Sequence, residues 1–245
     1  MRPKVSVVIP FYNCPYIEHA LQSALSQSWE PYEIIIVDDG SHAHSNLITP
    51  YLSRIHYLGK GNGGTASALN HGILNATGDY VVWLSSDDLF YRDKINNQVL
   101  FMEQNHLLIS YTNFNYINAQ SQLVQLNAAP LFPSHLDYLR CFLHGNPING
   151  CTVMFKREVF GAIGLFDESL PYTHDYDLWF RAILNGYPPV MLNQSLTAYR
   201  THDGMGTIKY FDVIMAEAAA TNARYKNSLQ HLISSMGAEG NVPGN

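Results

Sequence analysis

Two acid pairs could do chemistry in this chain, Asp38-Asp39 and Asp87-Asp88. Each closes a short apolar run, EIIIV at 33–37 and YVVWL at 80–84. Runs that are apolar without alternating read as strands buried on both faces. In Ser85-Ser86-Asp87-Asp88, two hydroxyls and two carboxylates follow such a strand directly, and they have no packing role there. Ligands of open α/β sheets bind at the C-terminal ends of the strands. Neighbouring oxygen donors at that place suit a hard cation such as Mg²⁺ or Mn²⁺, which would hold a phosphate. An aspartate pair that caps the following helix is the plainer reading of the same residues.

The elements around the acids repeat one plan. VSVVIP at 5–10 is a β-branched strand, with Asn13 placed to cap a helix whose face carries Ile17, Leu21, Ala24 and Leu25. The 33–37 strand follows. RIHYL at 54–58 is a more polar strand that belongs nearer a sheet edge. GKGNGG at 59–64 is a turn, residues 65–76 are a helix, and the 80–84 strand completes four βα-like units. Further on, a helix at 93–104 carries Ile95, Val99 and Met102. A hairpin spans 107–126, a helix 134–143, and CTVMF at 151–155 is a strand. A helix begins at His174-Asp175-Tyr176-Asp177, and Asp177 reads as solvated. A strand at 190–199 leads into Arg200-Thr201-His202. The last helix, 212–235, has Leu229, Leu232, Ile233 and Met236 on one side, and the tail from Gly237 reads as mobile.

The expected fold is α/β, a mostly parallel sheet flanked by helices in one domain over 1–236. Residues 1–105 form its nucleotide-binding half, 106–207 its acceptor-side half, and 208–236 the terminal helix. The formal net charge of −6 argues against nucleic acid as a partner and makes a metal more necessary for an anionic ligand. Three distant cysteines, Cys14, Cys141 and Cys151, read as reduced thiols of a cytoplasmic protein. The apolar start is too short for a leader and is broken by Pro10. No stretch is apolar and long enough to span a bilayer.

The 59–64 turn literally fits the dinucleotide fingerprint G-x-G-x-x-G, with Asp87 about twenty residues on. It makes an NAD-type oxidoreductase the competing expectation. Against it, the preceding strand carries Arg54 and His56, and Asp38-Asp39 go unused.

VSVVIPFYN at 5–13, IIVDDGS at 35–41, NGGTASALNHGI at 62–73 and WLSSDD at 83–88 come in that order. GLFDE at 164–168, HDYDLWFR at 174–181 and YRTH at 199–202 follow. Together they resemble glycosyltransferase family 2, the inverting enzymes with a GT-A (Rossmann-like) fold. The resemblance implies a nucleotide-sugar donor, UDP- or dTDP-linked, a divalent metal, and a carbohydrate or lipid-linked acceptor. It places Pro10, Tyr12, Asp38, Asp39, Lys60, Asn62, Gly63, Ser85, Ser86 and Asp87 at the nucleotide. Asp87 and His202 would hold the metal, and Asp175, kept ionised by its helix dipole, would be the base. Asp88, Asn149, Gly150, His174, Trp179 and Arg200 would stand near the sugars, although a core place suits Trp179 better. Tyr172 and Tyr176 flank the base.

Two departures matter. Ser85 stands where the family usually has the first acid of its metal motif, and Leu69 where many members carry an arginine, with Lys60 or Arg200 as substitutes. Ser85 favours a second reading, a non-catalytic module that binds a sugar nucleotide. The terminal helix is expected to dock on the domain; a homodimer contact or a peripheral membrane contact is the lesser reading of its apolar stripe.

Overall fold

The computed structural model describes residues 2–239. Nine strands form one sheet in the order β3-β2-β1-β4-β8-β6-β9-β5, with β7 paired to β6. The first four strands are the expected parallel set: β1 (Val5–Phe11), β2 (Tyr32–Asp38), β3 (His56–Gly59) and β4 (Tyr80–Trp83). The polar strand β3 takes the edge. β5 is Leu89–Phe90, β6 Ile109–Ile117, β7 Leu123–Gln125, β8 Met154–Lys156 and β9 Val190–Arg200.

The apolar runs are explained by their alternation between two covered faces. Val5, Val7 and Ile9 of β1, Ile34 and Ile36 of β2, and Tyr80 and Val82 of β4 enter one core. Helix α1 (Ile17–Leu25) and α3 (Lys94–Gln104) close that core. Val8, Ile35, Val37, Val81 and Trp83 enter the other. There they meet α2 (Gly64–Asn75), α4 (His135–Cys141), α5 (Phe160–Ile163) and α6 (His174–Leu184). A short α7 (Gly206–Lys209) precedes α8 (Phe211–Glu239). The expected docking stripe of α8 is present: Leu229, Leu232, Ile233 and Met236 all pack on this second core. A Cβ at Gly72 of α2 would stand 2.4 Å from Val8 Cγ1, so glycine is what lets α2 lie directly on β1.

Three local expectations change. Asn13 does not cap α1, whose N-cap is Tyr16; its Oδ1 instead accepts from the His42 and Ala43 amides at 2.8 and 2.9 Å. The residues expected as a strand from Cys151 begin with a 3₁₀ turn, Gly150–Thr152, capped by the Asn149 side chain, and extend only from Met154. The tail read as mobile starts inside α8, which runs to Glu239, and the remainder lies outside the described residues. Among those residues no helix is long and apolar enough to cross a membrane.

Candidate active site

Strand direction alone gathers the site. β8 is antiparallel to β4, β6 antiparallel to β8, and β9 parallel to β6. β9 therefore runs the same way as β4, and its C-terminal end reaches the rim on which β1, β2 and β4 also end. That brings His202 to Asp87, with Nε2 and Oδ2 3.1 Å apart. Both side chains are partly exposed. Tyr16, which the sequence gave no reason to single out, lies 5.0 Å from the His202 ring and under the Arg200 guanidinium.

Asp88 and Arg200 were expected near the sugars, and the structure puts both beneath the rim. Arg200 is fully buried; it donates from Nε to the Asp87 carbonyl at 2.7 Å and from Nη1 to Ser121 Oγ at 2.8 Å. Its backbone N–H donates to Asp88 Oδ1 at 2.8 Å. Burial, with Asp87 beside it, pushes the Asp88 carboxyl well above the usual carboxylate range. These two residues brace the turn that presents Asp87. Arg200 thus cannot replace the arginine missing at Leu69, which is itself buried in the core.

On the β2 side the acid pair is committed internally. Asp38 is buried, with Ser41 N donating to Oδ1 at 2.7 Å and the Tyr57 hydroxyl to Oδ2. Asp39 accepts from Lys60 Nζ at 2.6 Å and from the amides of Gly63 and Gly64 at 3.0 and 2.8 Å. Both carboxylates thus carry loop-holding bonds. Lys60 is equally taken, and Asn62 Nδ2 donates to the Asp39 carbonyl. This arrangement removes the oxidoreductase reading. The amides that would cradle a pyrophosphate hold a carboxylate, and the preceding strand is an edge strand rather than the sheet centre. Pro10, at the end of β1, and Tyr12, half exposed, remain on the open rim.

The turn at Gly150–Thr152, expected near the sugars, is built against the end of β4. Ser85 Oγ lies 2.8 Å from Cys151 Sγ in the 3₁₀ turn, and Ser86 offers its carbonyl to Cys14. Asn149 Oδ1 accepts from the Cys151 amide at 3.0 Å. A Cβ on Gly150 would sit 2.1 Å from Trp83 Cζ3, so the turn presses on the indole. Trp83 in turn packs against the His174 ring, centroids 5.7 Å apart. His174 is buried between Trp83 and Phe166, and burial lowers its pKa. It is a wall rather than a sugar contact. Trp179 is fully buried and stacked on Phe155, and Tyr176 is buried against Phe142 and Phe180; neither can hold a sugar ring.

Asp175 is half-buried, one residue beyond His174. Asn146 Nδ2 donates to its Oδ2 at 3.0 Å, and the Tyr176 amide to Oδ1 at 2.7 Å. Burial outweighs the neighbouring His174 and these bonds, and raises the carboxyl above its ordinary pKa. Asp177 is not solvated; it is buried, ion-paired to Arg181 at 2.7 Å and bonded by the Tyr225 hydroxyl at 2.6 Å.

Among the described residues no three His, Cys, Asp or Glu side chains converge on one point. Asp87 and His202 alone offer a carboxylate and an imidazole side by side at an open rim. That donor set does not make a closed protein cage. It does fit a cation that keeps waters and takes its remaining ligands from a bound phosphate.

The model of glycosyl transferase family 2 matches residues 6–164. The chain belongs to this family. Its family-2 relatives include an uncharacterized glycosyltransferase of Rickettsia typhi, 40% identical over 84% of this chain and 66% of that one. Another is the Escherichia coli UDP-Glc:alpha-D-GlcNAc-diphosphoundecaprenol beta-1,3-glucosyltransferase WfaP, 31% identical over 87% of this chain and 84% of that one. The chain spans about two thirds or less of the length of the Rickettsia relatives it matches. In fold it resembles Staphylococcus aureus TarS crystallised with UDP-GlcNAc, with a TM-score of 0.70, 20% identity, and 92% of this chain and 70% of that chain covered. The architecture is thus the GT-A type that the resemblance implied. Asp175 and His202 both lie beyond the span of the family model.

Proposed function

We propose that this chain is an inverting, metal-dependent glycosyltransferase that moves a sugar from a UDP-linked donor to a hydroxyl of a glycan, polysaccharide or glycolipid. The observation that carries the reading is the Asp87–His202 pair at the C-terminal rim of the sheet, with half-buried Asp175 next in sequence to the His174 ring that packs on Trp83 of β4. The names of WfaP and of the TarS complex favour uridine over thymidine nucleotides, and WfaP's favours a lipid-linked acceptor.

Asp87 and His202 would hold the cation, which when bound neutralises charge gathering on the leaving diphosphate. Tyr12 and Pro10 stand where the base would lie. Asp175 takes the proton of the acceptor hydroxyl as its oxygen bonds the anomeric carbon. The bond from that carbon to the diphosphate oxygen breaks, and the electron pair leaves with UDP. A raised carboxyl pKa strengthens Asp175 as an acceptor of that proton, provided the pH keeps it ionised.

Calorimetric titration with UDP, with and without Mn²⁺, tests the reading on the wild type and on Asp87→Ala. Metal-dependent binding lost in the variant supports it. UDP binding without turnover of any donor would favour a non-catalytic binding module, and binding of NAD in place of UDP would overturn it.

A further inference from the structure

Helix α6 carries the proposed base but has no cap of its own. Its N-cap, Thr173, makes no capping bond with its side chain. The partner comes from another helix. Glu217 of α8 accepts at a single oxygen, Oε1, from the Thr173 amide at 2.6 Å, the Tyr172 amide at 3.0 Å and the Thr173 hydroxyl at 2.8 Å. In a capping box, a glutamate three residues into the helix reaches back to the N-cap amide. Here that position is Tyr176, and a residue 44 positions beyond Thr173 does the task.

The grip continues along α8 at helical spacing. Thr221 Oγ1 lies 3.1 Å from Thr173 Oγ1. Asn222 Nδ2 donates to the Tyr176 hydroxyl at 3.0 Å and to the Phe142 carbonyl at 2.8 Å. The Tyr225 hydroxyl donates to Asp177 at 2.6 Å, and Leu229 is fully buried. Asp175 lies between the two gripped segments, one at 172–173 and one at 176–177. Its carboxylate is held by the Tyr176 amide at Oδ1 and by Asn146 at Oδ2.

We infer that Glu217 is a positioning residue for Asp175, and that α8 is the element that fixes the base in the half-buried place it occupies. The inference rests on the reading of Asp175 as the base. It accounts for how the first turn of α6 is capped although its N-cap side chain makes no capping bond. Oε1 does all the bonding, so glutamine, with its amide nitrogen in place of Oε2, should substitute, whereas alanine leaves the two amides and the hydroxyl without an acceptor. The titratable and charged groups around the first turns of α6 are His174, Asp177 and Arg181 on α6 and Glu217, Arg224 and Tyr225 on α8.

The test needs no acceptor. The carboxyl carbon of Asp175 is followed by NMR through a pH titration, with Asp175→Asn assigning the resonance, in wild type, Glu217→Gln and Glu217→Ala. Glu217→Ala should let water reach the first turn and return the Asp175 titration toward the ordinary carboxylate range, while Glu217→Gln keeps it raised and UDP affinity is the same in all three. UDP release from UDP-glucose and UDP-GlcNAc should then fall about 10–100-fold in Glu217→Ala, the scale expected when a reacting group is displaced by about 1 Å, and recover in Glu217→Gln. An unchanged Asp175 titration in Glu217→Ala overturns the inference, as does a Glu217→Gln variant as impaired as the alanine. If the alanine variant does not fold, Glu217→Asp, one methylene too short to reach Thr173, takes its place in the same titration. Normal turnover in Asp175→Asn would instead sink the base assignment, and the titration would still report whether Glu217 positions that side chain.

Discussion

Asp87 and His202, 115 positions apart in sequence, meet at 3.1 Å on one rim, because two successive antiparallel pairings, β4 with β8 and β8 with β6, and a parallel one, β6 with β9, leave β9 running the same way as β4. The contact joins one carboxylate to one imidazole at an open rim, with the buried Arg200 fixing the Asp87 backbone from below. The pair is therefore the natural target for separating metal-linked from metal-free binding.

Asp87→Ala and His202→Ala should each weaken Mn²⁺-dependent UDP binding by at least the roughly 10–100-fold that even an outer partner of a metal site supplies. Metal-free UDP binding should change little. Calorimetry at matched Mn²⁺ concentrations distinguishes the two.

Asp175→Asn should lower donor turnover by about 10²–10⁴-fold, the usual reach of a general base, with UDP affinity retained. Because burial raises the Asp175 pKa, the acid limb of the wild-type rate profile should fall above the ordinary carboxylate range. The stability effect has the opposite sign to the rate effect. A carboxyl raised in the folded state binds its proton more tightly folded than unfolded, so stability is lost as pH rises through that interval. Asp175→Asn should accordingly melt higher than wild type near neutral pH, and the difference should vanish below the ordinary carboxylate pKa.

Glu33 should set the acid stability of the first core. Burial works against its ionisation, but Lys4, Ser6 and Thr77 more than offset it and lower the carboxyl to about 2. Its bonds to Ser6 Oγ at 2.5 Å and Lys4 Nζ at 2.7 Å tie β2 to β1. The stabilisation is complete above the unfolded value, 4.5, and is lost as pH falls toward about 2. Glu33→Gln should flatten the melting temperature across that window and cost up to ~3 kcal/mol at neutral pH.

Gly150→Ala should disturb the wall formed by Trp83 and His174 while leaving the Asp87–His202 pair in place. Its Cβ would meet Trp83 at 2.1 Å, so the indole, and the His174 ring packed on it, must move. Overpacking of this kind costs about 1–3 kcal/mol. Thermal melting should register that loss, and donor turnover should fall while UDP affinity holds.

The sequence alone determined the parallel half of the sheet and the helices on it. The central strands β1, β2 and β4 read as near-continuous apolar runs because both of their faces are covered, and the polar run of β3 marks the edge; neither reading needs a partner to be known. It also placed the residues that end those strands, and the ordered motifs identified the family resemblance. What the tertiary structure decided was where each polar side chain spends its bonds. Asp38, Asp39, Asp88 and Arg200 look like ligand-facing residues in sequence, since a motif does not say whether a carboxylate points to solvent or to a neighbouring amide. In the fold, Gly63 and Gly64 claim Asp39, Ser41 and Tyr57 claim Asp38, and Asp88 and Arg200 brace the turn beneath Asp87. Asp177 read as solvated because the Tyr225 that reaches it comes from 48 residues away. Glu217 carried no signal, because a lone glutamate on a helix becomes a cap only when packing lays that helix against the start of another.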